Sequence, residues 1–161
     1  MNFSIVIVAL VTLERLGELW LSNRNTKRLL AQGAHEVAAD HYLLIVAVHV
    51  LWLASLWVLA PSRSVDGFWL GAYVLLQVGR FWTIEALGNR WTTRIIVLPD
   101  APLVKRGPYQ FIDHPNYVVV AGEIAVLPLV FGLFRVAVVF SLLNAAVLAI
   151  RIREENRALG R

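Results

Sequence analysis

The sequence predicts an all-α polytopic membrane protein with about five transmembrane helices, a C-terminal helical hairpin and a cytosolic polar segment. The chain of 161 residues is 58% hydrophobic and 16% charged, with a mean hydropathy of +0.65. This composition is far more apolar than that of an average soluble domain. The apolar residues form runs, and most Lys and Arg residues lie between them. The length is that of one domain, so residues 1–161 are interpreted as a single unit.

The predicted membrane spans are the apolar runs 3–21, 42–60, 67–87, 117–133 and 136–150. The first three approach the roughly 20 residues that a helix needs to cross a bilayer. The last two are shorter and nearly contiguous, which indicates a tight helical hairpin. The first run lacks a basic leader and a small-residue cleavage site, so it is not interpreted as a signal peptide.

The basic residues predict which side of the membrane each loop faces. Segments 22–41, 88–116 and 151–161 hold eleven Lys and Arg residues, whereas the opposite loops hold only Arg63 and Arg135. Cytoplasmic loops are enriched in Lys and Arg. We therefore expect an integral protein of a bacterial inner membrane, with the N-terminus outside and the C-terminus cytoplasmic. The net charge of +4 does not indicate nucleic-acid binding, because the basic residues lie at helix ends rather than on one face.

The most informative stretch is the polar segment 103–117, which enters the fourth apolar run. Its tripeptide Gly-Pro-Tyr at 107–109 is a turn signal. Its tetrapeptide His-Pro-Asn-Tyr at 114–117 fits a helix start, because proline is tolerated in the first helical turn. A helix N-terminus favours an anion such as a carboxylate. Irregular backbone beside lipid requires surrounding protein or a polar cavity, so the segment indicates a cavity with polar walls. The alternative is that the tetrapeptide is an ordinary helix start at the membrane interface.

A second polar feature follows the last apolar run. Arg151 and Glu155 lie four residues apart, so they share one face of a helix, and Glu154 lies on a different face. A carboxylate can bind ribose hydroxyls or a cationic group, and the planar fork of arginine suits an anion. The alternative is a solvated, charged helix end.

The apolar runs also contain ionisable residues, which are costly in lipid unless they are paired or line a polar cavity. They are Glu14, Glu18, Arg80, Glu85 and Glu123. We expect Arg80 to neutralise an acid on another helix, and both structural and catalytic roles stay open for each residue. His49 is expected to make a hydrogen-bonded contact between helices. The chain has no cysteine, no nucleotide-binding glycine motif, no nucleophile elbow and no metal-ligand spacing.

Together these motifs resemble the isoprenylcysteine carboxyl methyltransferase family of integral membrane enzymes, from about Gly67 to the C-terminus. The ordered set is Leu103-Val104, Gly107, Tyr109, His114-Pro115-Asn116-Tyr117, a hydrophobic hairpin and an Arg four residues before Glu155. The sequence is most similar to the small bacterial branch, whose members include alkylpyrone O-methyltransferase-like enzymes. Typical of that branch are the sequence LGNRWT at 87–92 and the Pro-Asn-Tyr motif followed by Glu123. Asp113 departs from the pattern, which usually has a basic residue before His-Pro.

The resemblance implies an S-adenosylmethionine-dependent O-methyltransferase whose lipophilic or lipidated acceptor comes from the bilayer, such as an isoprenylcysteine-like or alkylpyrone-like molecule. Arg151 would lie on the acceptor side. A carboxylate acceptor needs no general base, whereas a phenol or enol does, and Glu123, Glu85 or His114 is a candidate. The implied cofactor-binding residues are Ala101, Pro102, Leu103, Val104, Tyr109, His114, Pro115, Asn116, Tyr117 and Glu155.

Three other functions are compatible with the same motifs. Some membrane reductases that use NADPH to reduce sterol or isoprenoid double bonds carry a similar histidine-and-tyrosine segment. Phospholipid N-methyltransferases share the cofactor but methylate an amine. A membrane scaffold without enzymatic activity would bind no small molecule near His114 and Glu155.

Overall fold

The computed structural model describes residues 2–99 and 101–160, and most of them are helical. The prediction of a helical protein with five long helices is confirmed. By length and composition α2 and α5 are candidate membrane spans, and α4 is a shorter apolar helix; the predicted number of five spans stays a prediction. The helices are α1 (Phe3–Ala31), α2 (Ala39–Leu59), α3 (Gly67–Leu87), α4 (Pro115–Val130) and α5 (Phe134–Ala158).

Two helices extend beyond the apolar runs that predicted them. Helix α1 continues to Ala31 and α5 continues to Ala158, whereas their apolar runs end near residues 21 and 150. Hydropathy marks the part of a helix that suits lipid, and polar helix-forming residues extend the same helix into water. Helix α4 begins at Pro115, as the tetrapeptide predicts, and a short turn joins it to α5.

A two-stranded antiparallel ribbon, which the sequence did not predict, connects two distant loops. Strand β1 (His35–Val37) follows α1, and strand β2 (Ile95–Val97) follows α3. The Nη1 atom of Arg94 donates to the Glu36 carboxylate at 2.8 Å beside the ribbon. The ribbon therefore fastens the α1–α2 connection to the segment after α3.

The two ends of the bundle differ in charge. The ribbon, segment 98–114 and the C-terminal part of α5 share one end, which we call the basic end because it holds the three Lys- and Arg-rich segments. At the other end, the Ser4 hydroxyl donates to the carbonyl of Arg63 at 2.7 Å, and the Asp66 amide donates to the carbonyl of Val130 at 2.8 Å. The concentration of basic residues at one end agrees with the charge pattern of the sequence. Which side of the membrane each end faces stays a prediction.

The hydrophobic core lies toward the end opposite the basic end. Its fully buried members include Val8, Leu56, Leu127 and Val130. Many large apolar side chains on the outer helix faces are exposed, such as Val58 and Leu75, which suits helices that face lipid. The bundle is thus closed by packing at one end, and the basic end holds an open, partly polar space.

Candidate functional site

A cavity of about 430 Å³ occupies the basic end of the bundle. This volume is within the range of small-molecule sites. Its walls come from all five long helices, strand β2 and the segment 98–114. We call it the central cavity.

Ten of the twelve predicted site residues line the central cavity. Pro115 and Glu123 do not line it: Pro115 is buried as the first residue of α4, and Glu123 lies two turns further along the helix. The ten residues are Ala101, Pro102, Leu103, Val104, Tyr109, His114, Asn116, Tyr117, Arg151 and Glu155.

The start of α4 and the tail of α5 meet at the carboxylate of Glu155. The Tyr117 hydroxyl donates to Oε2 of Glu155 at 2.7 Å, and Nδ1 of His114 is 3.6 Å from the same oxygen. The His114 ring stacks on Tyr117 with 5.5 Å between centroids, and its Nε2 is 3.0 Å from Oδ1 of Asn156. Two motifs separated by about 40 residues therefore form one polar wall.

Arg151 is a buried cation beside this wall. It is 5% exposed, its Nη2 donates to the carbonyl of Thr93 at 2.9 Å, and its guanidinium lies 5.9 Å from the Tyr117 ring centroid. Within the described part of the chain it forms no salt bridge with a carboxylate. Glu154, in contrast, forms a surface salt bridge with Arg157 at 2.9 Å. A buried guanidinium without a carboxylate partner favours an anionic or strongly polar ligand.

Tyr109 adds a hydroxyl donor to the cavity wall. It belongs to a short 3₁₀ helix, Gly107–Gln110, which packs against α3. Burial, followed by the nearby carboxylate of Glu155, raises the pKa of Tyr109, and Arg80 acts in the opposite direction. Tyr109 therefore stays a neutral phenol that can donate a hydrogen bond.

A buried cluster of ion pairs contributes Arg15, Glu18 and Arg80 to the cavity wall. The sequence predicts such a pair for Arg80. Both Nε and Nη2 of Arg80 donate to Glu18 at 2.6 Å, in a bidentate pair between α3 and α1. Arg15 donates to Glu18 at 2.9 Å and to Glu123 at 3.1 Å. Arg80 Nη1 also reaches Oδ1 of Asn116 at 3.4 Å. The cluster thus links α1, α3 and the first turn of α4.

The three candidate bases that the sequence suggests, Glu123, Glu85 and His114, have different surroundings in the structure. Glu123 is bound by Arg15 and Gln77, and its proposed catalytic role stays a prediction. Glu85 is exposed on α3 and does not line the cavity. His114 does line the cavity, with its two ring nitrogens near Glu155 and Asn156.

Sequence reasoning missed the residues that hold the segment after α3. Thr93 accepts from Arg151 through its carbonyl, and its hydroxyl is 2.8 Å from that of Ser22 and 3.2 Å from that of Tyr42. Asn25 donates to the carbonyl of Trp91 at 2.8 Å. These contacts join residues far apart in the chain, and strands of three residues are too short to show a period. The only signal was the LGNRWT sequence just before Thr93.

Comparisons with known proteins show which family the chain resembles. The model of the isoprenylcysteine carboxyl methyltransferase (ICMT) family matches residues 69–161. The chain is 38% identical over 159 residues to an uncharacterized protein, YpbQ, of Bacillus subtilis (strain 168), which covers 96% of this chain and 95% of that protein. An uncharacterized protein of Haemophilus influenzae is 25% identical over 165 residues, which covers 99% of this chain and 96% of that protein.

No solved structure matches the chain. The family match includes more than half of the chain and contains α4, α5 and every predicted site residue. The chain therefore belongs to the isoprenylcysteine carboxyl methyltransferase family of membrane methyltransferases.

Proposed function

We propose that the protein transfers a methyl group from S-adenosylmethionine to an oxygen atom of a lipophilic acceptor dissolved in the membrane. One observation carries this proposal: a single cavity joins a polar wall from α4 and α5 to apolar side chains of α2 and to Leu16 and Leu19 of α1. Such a cavity suits a polar reactant and an apolar reactant that must meet. Family membership supports methyl transfer as the reaction.

The residues of the polar wall fit the chemistry of S-adenosylmethionine. This molecule carries ribose hydroxyls, an amino group and a carboxylate, and when bound it supplies an electrophilic methyl group on a positively charged sulfur. The carboxylate of Glu155 suits hydroxyl or cationic groups, and Tyr109 is a neutral hydroxyl donor beside it. Segment 101–104 adds backbone groups outside helices and strands to the same wall.

The chain would contribute mainly position and exclusion of water. Methyl transfer from a sulfonium is an in-line displacement that removes charge, so it needs close approach in a dry site. The guanidinium of Arg151 can hold the acceptor oxygen without itself reacting, because it has no carboxylate partner within the described residues. An oxygen acceptor that carries negative charge suits this cation.

The apolar wall supports a long-chain acceptor. On α2 the lining residues recur at helical spacing, and Leu16 and Leu19 line the same space from α1. A chain that enters from the bilayer between these helices would therefore lie against apolar side chains as far as the polar wall. The α2 residues are Tyr42, Ile45, Val46, His49, Val50, Trp52 and Leu53.

Isothermal titration of the detergent-purified protein with S-adenosylhomocysteine tests the cofactor. We expect the wild type and Glu154→Gln to bind it, and Glu155→Gln to bind at least tenfold more weakly, which corresponds to about 1.4 kcal/mol. Glu154 is the matched control, because it is adjacent and pairs with Arg157 outside the cavity. Binding of NADPH but not of S-adenosylhomocysteine would favour a reductase. Binding of neither compound would favour a scaffold.

A further inference from the structure

We propose that His49 of α2 is the general base of this reaction, and that the acceptor is therefore a lipophilic hydroxyl compound, a phenol or an enol, rather than a carboxylate. The inference rests on the proposed methyl transfer and deepens it by naming the acceptor class. His49 lies outside the residues that the family model matches.

A backbone hydrogen bond fixes the tautomer of His49. Its Nδ1 is 2.8 Å from the carbonyl oxygen of Ile45, one helical turn earlier. A carbonyl oxygen can only accept, so Nδ1 carries the hydrogen, and in the neutral ring Nε2 holds the free lone pair. Among the residues that the structure describes, Nε2 has no hydrogen-bond partner. A general base needs a hydrogen bond that orients its ring and a free lone pair that accepts a proton. His49 has both.

His49 also lies where an acceptor can reach it. It lines the central cavity together with Arg151 and Glu155. The neighbouring cavity-lining residues of α2 are Ile45, Val46, Val50 and Leu53, so His49 is the basic group on an otherwise apolar stripe. An alkyl chain along this stripe would bring its hydroxyl group to Nε2.

The other acids and bases around the cavity are already engaged. The charged groups that act electrostatically on His49 are Arg15 and Glu18 of α1 and Arg80 of α3. The carboxylate of Glu18 accepts from both arginines, at 2.6 Å and 2.9 Å. The ring nitrogens of His114 are near Glu155 and Asn156. Of these groups, His49 is the one that lies on the apolar stripe of α2.

The proposed step balances in protons and electrons. The O–H bond of the acceptor breaks, its proton passes to Nε2 of His49, and the oxygen lone pair forms the new bond to the methyl carbon. The carbon–sulfur bond breaks with its electron pair going to sulfur, which leaves neutral S-adenosylhomocysteine. The proton on His49 is then released to water. A carboxylate acceptor would not need this transfer, because it is already ionised.

Two acceptors of matched shape test this step: 4-dodecylphenol, and 4-dodecyl-2-nitrophenol at a pH where it is already ionised. For the phenol we expect His49→Gln to lower kcat by about 100-fold or more, the usual contribution of a general base, with KM within about threefold. For the ionised nitrophenol we expect less than about a threefold change. His41→Gln is the matched control, since His41 is on the same helix and does not line the cavity.

A spectroscopic measurement tests the proton transfer without turnover. The nitrophenol is added to protein saturated with S-adenosylhomocysteine at a pH where the free compound is mostly protonated. We expect the wild type and His41→Gln to bind it with the absorbance of the nitrophenolate anion, and His49→Gln to bind it without that band.

Different failures overturn different proposals. Equal loss of kcat with both phenols, or no loss with either, overturns the role of His49. Wild-type protein that binds S-adenosylhomocysteine but methylates dodecanoic acid and no phenol overturns the acceptor class and leaves methyl transfer intact. Wild-type protein that does not bind S-adenosylhomocysteine overturns the proposed function, and with it this inference.

Discussion

Arg151 is held by a carbonyl and an aromatic ring rather than by a carboxylate. Its contacts are the carbonyl of Thr93 at 2.9 Å and the ring of Tyr117 at 5.9 Å. These neutral partners orient the guanidinium without cancelling its charge. Glu155, one turn later on α5, is oriented by Tyr117 at 2.7 Å. Neighbouring turns of one helix thus present opposite charges to one cavity, and each can be tested separately.

At this scale we predict that Arg151→Ala lowers turnover while the affinity for S-adenosylhomocysteine changes less than about threefold, since truncation removes acceptor binding in the transition state. Steady-state kinetics with a lipophilic acceptor and isothermal titration of the same preparation measure the two effects. Arg153→Ala is the control, because Arg153 is exposed on the same helix. A variant that loses cofactor affinity and turnover together would contradict the assignment of Arg151 to the acceptor.

A second prediction concerns the buried pair of Arg80 and Glu18, whose side chains are 5% and 9% exposed. Among the residues that the structure describes, Arg80→Met leaves Glu18 with Arg15 as its salt-bridge partner. We expect the free energy of unfolding to fall by about 3 kcal/mol or more, the usual cost of breaking a buried pair. Thermal or denaturant unfolding in detergent measures this loss.

A control variant and a double-mutant cycle test that prediction further. Arg28→Met changes an exposed residue of α1, so its effect should stay within about 0.5 kcal/mol. The double variant Glu18→Gln/Arg80→Met should lose less than the sum of the single changes, because the two side chains interact directly. Additive losses would mean that the pair contributes little.

At the scale of elements, the short 3₁₀ helix Gly107–Gln110 positions the polar segment against α3. Gly107 has φ +56, and a Cβ atom there would lie 3.0 Å from Cβ of Ala86 and 3.1 Å from Nε1 of Trp82. Arg106 donates to the carbonyl of Ala86 at 2.6 Å. A tight turn thereby places Tyr109 in the cavity wall.

We predict that Gly107→Ala destabilises the protein by at least about 1–2 kcal/mol, the cost of a left-handed conformation for a residue with a Cβ atom. Weaker binding of S-adenosylhomocysteine should accompany this loss, because the turn carries Tyr109. Gly71→Ala is the control, since a Cβ atom at Gly71 on α3 meets nothing within 4 Å. Equal melting temperatures for the two variants would show that this turn does not depend on glycine.

At the scale of the whole molecule, the two ends of the bundle differ in charge, and this difference predicts the membrane topology. The basic end is built from three segments distant in sequence, which are joined by the ribbon, by Arg151 with Thr93 and by His114 with Asn156. The lipid-facing surface and the buried ion-pair cluster lie between the two ends. The cavity therefore faces both the basic end and the apolar side chains of α2, Leu16 and Leu19.

From the positive-inside pattern we predict that the basic end is cytoplasmic. Reporter fusions after Ser62 and after Arg161 should then lie on opposite sides of the membrane, with the second fusion inside. Fusions on the same side would contradict the five-span topology. A fusion after Gln32, where α1 has ended, should report the same side as the fusion after Arg161.

Local sequence is sufficient to predict the apolar helices, the start of α4 at Pro115 and the position of Arg151 and Glu155 on one helical face. These features depend on local composition, on the fixed φ of proline and on the helical period, which act over a few residues. Ten of the twelve predicted site residues line the cavity for the same reason: they cluster in two short segments.

Which distant groups meet depends on how the helices pack against each other. The contacts of Thr93 with Ser22, Tyr42 and Arg151 join α1, α2 and α5, and the three-residue strands pair only because those helices bring the loops together. The free Nε2 of His49 and the engaged state of Glu18 and His114 likewise depend on neighbours from other elements. Hydrogen bonds and ion pairs between elements act over a few ångströms in space, so linear order does not reveal them.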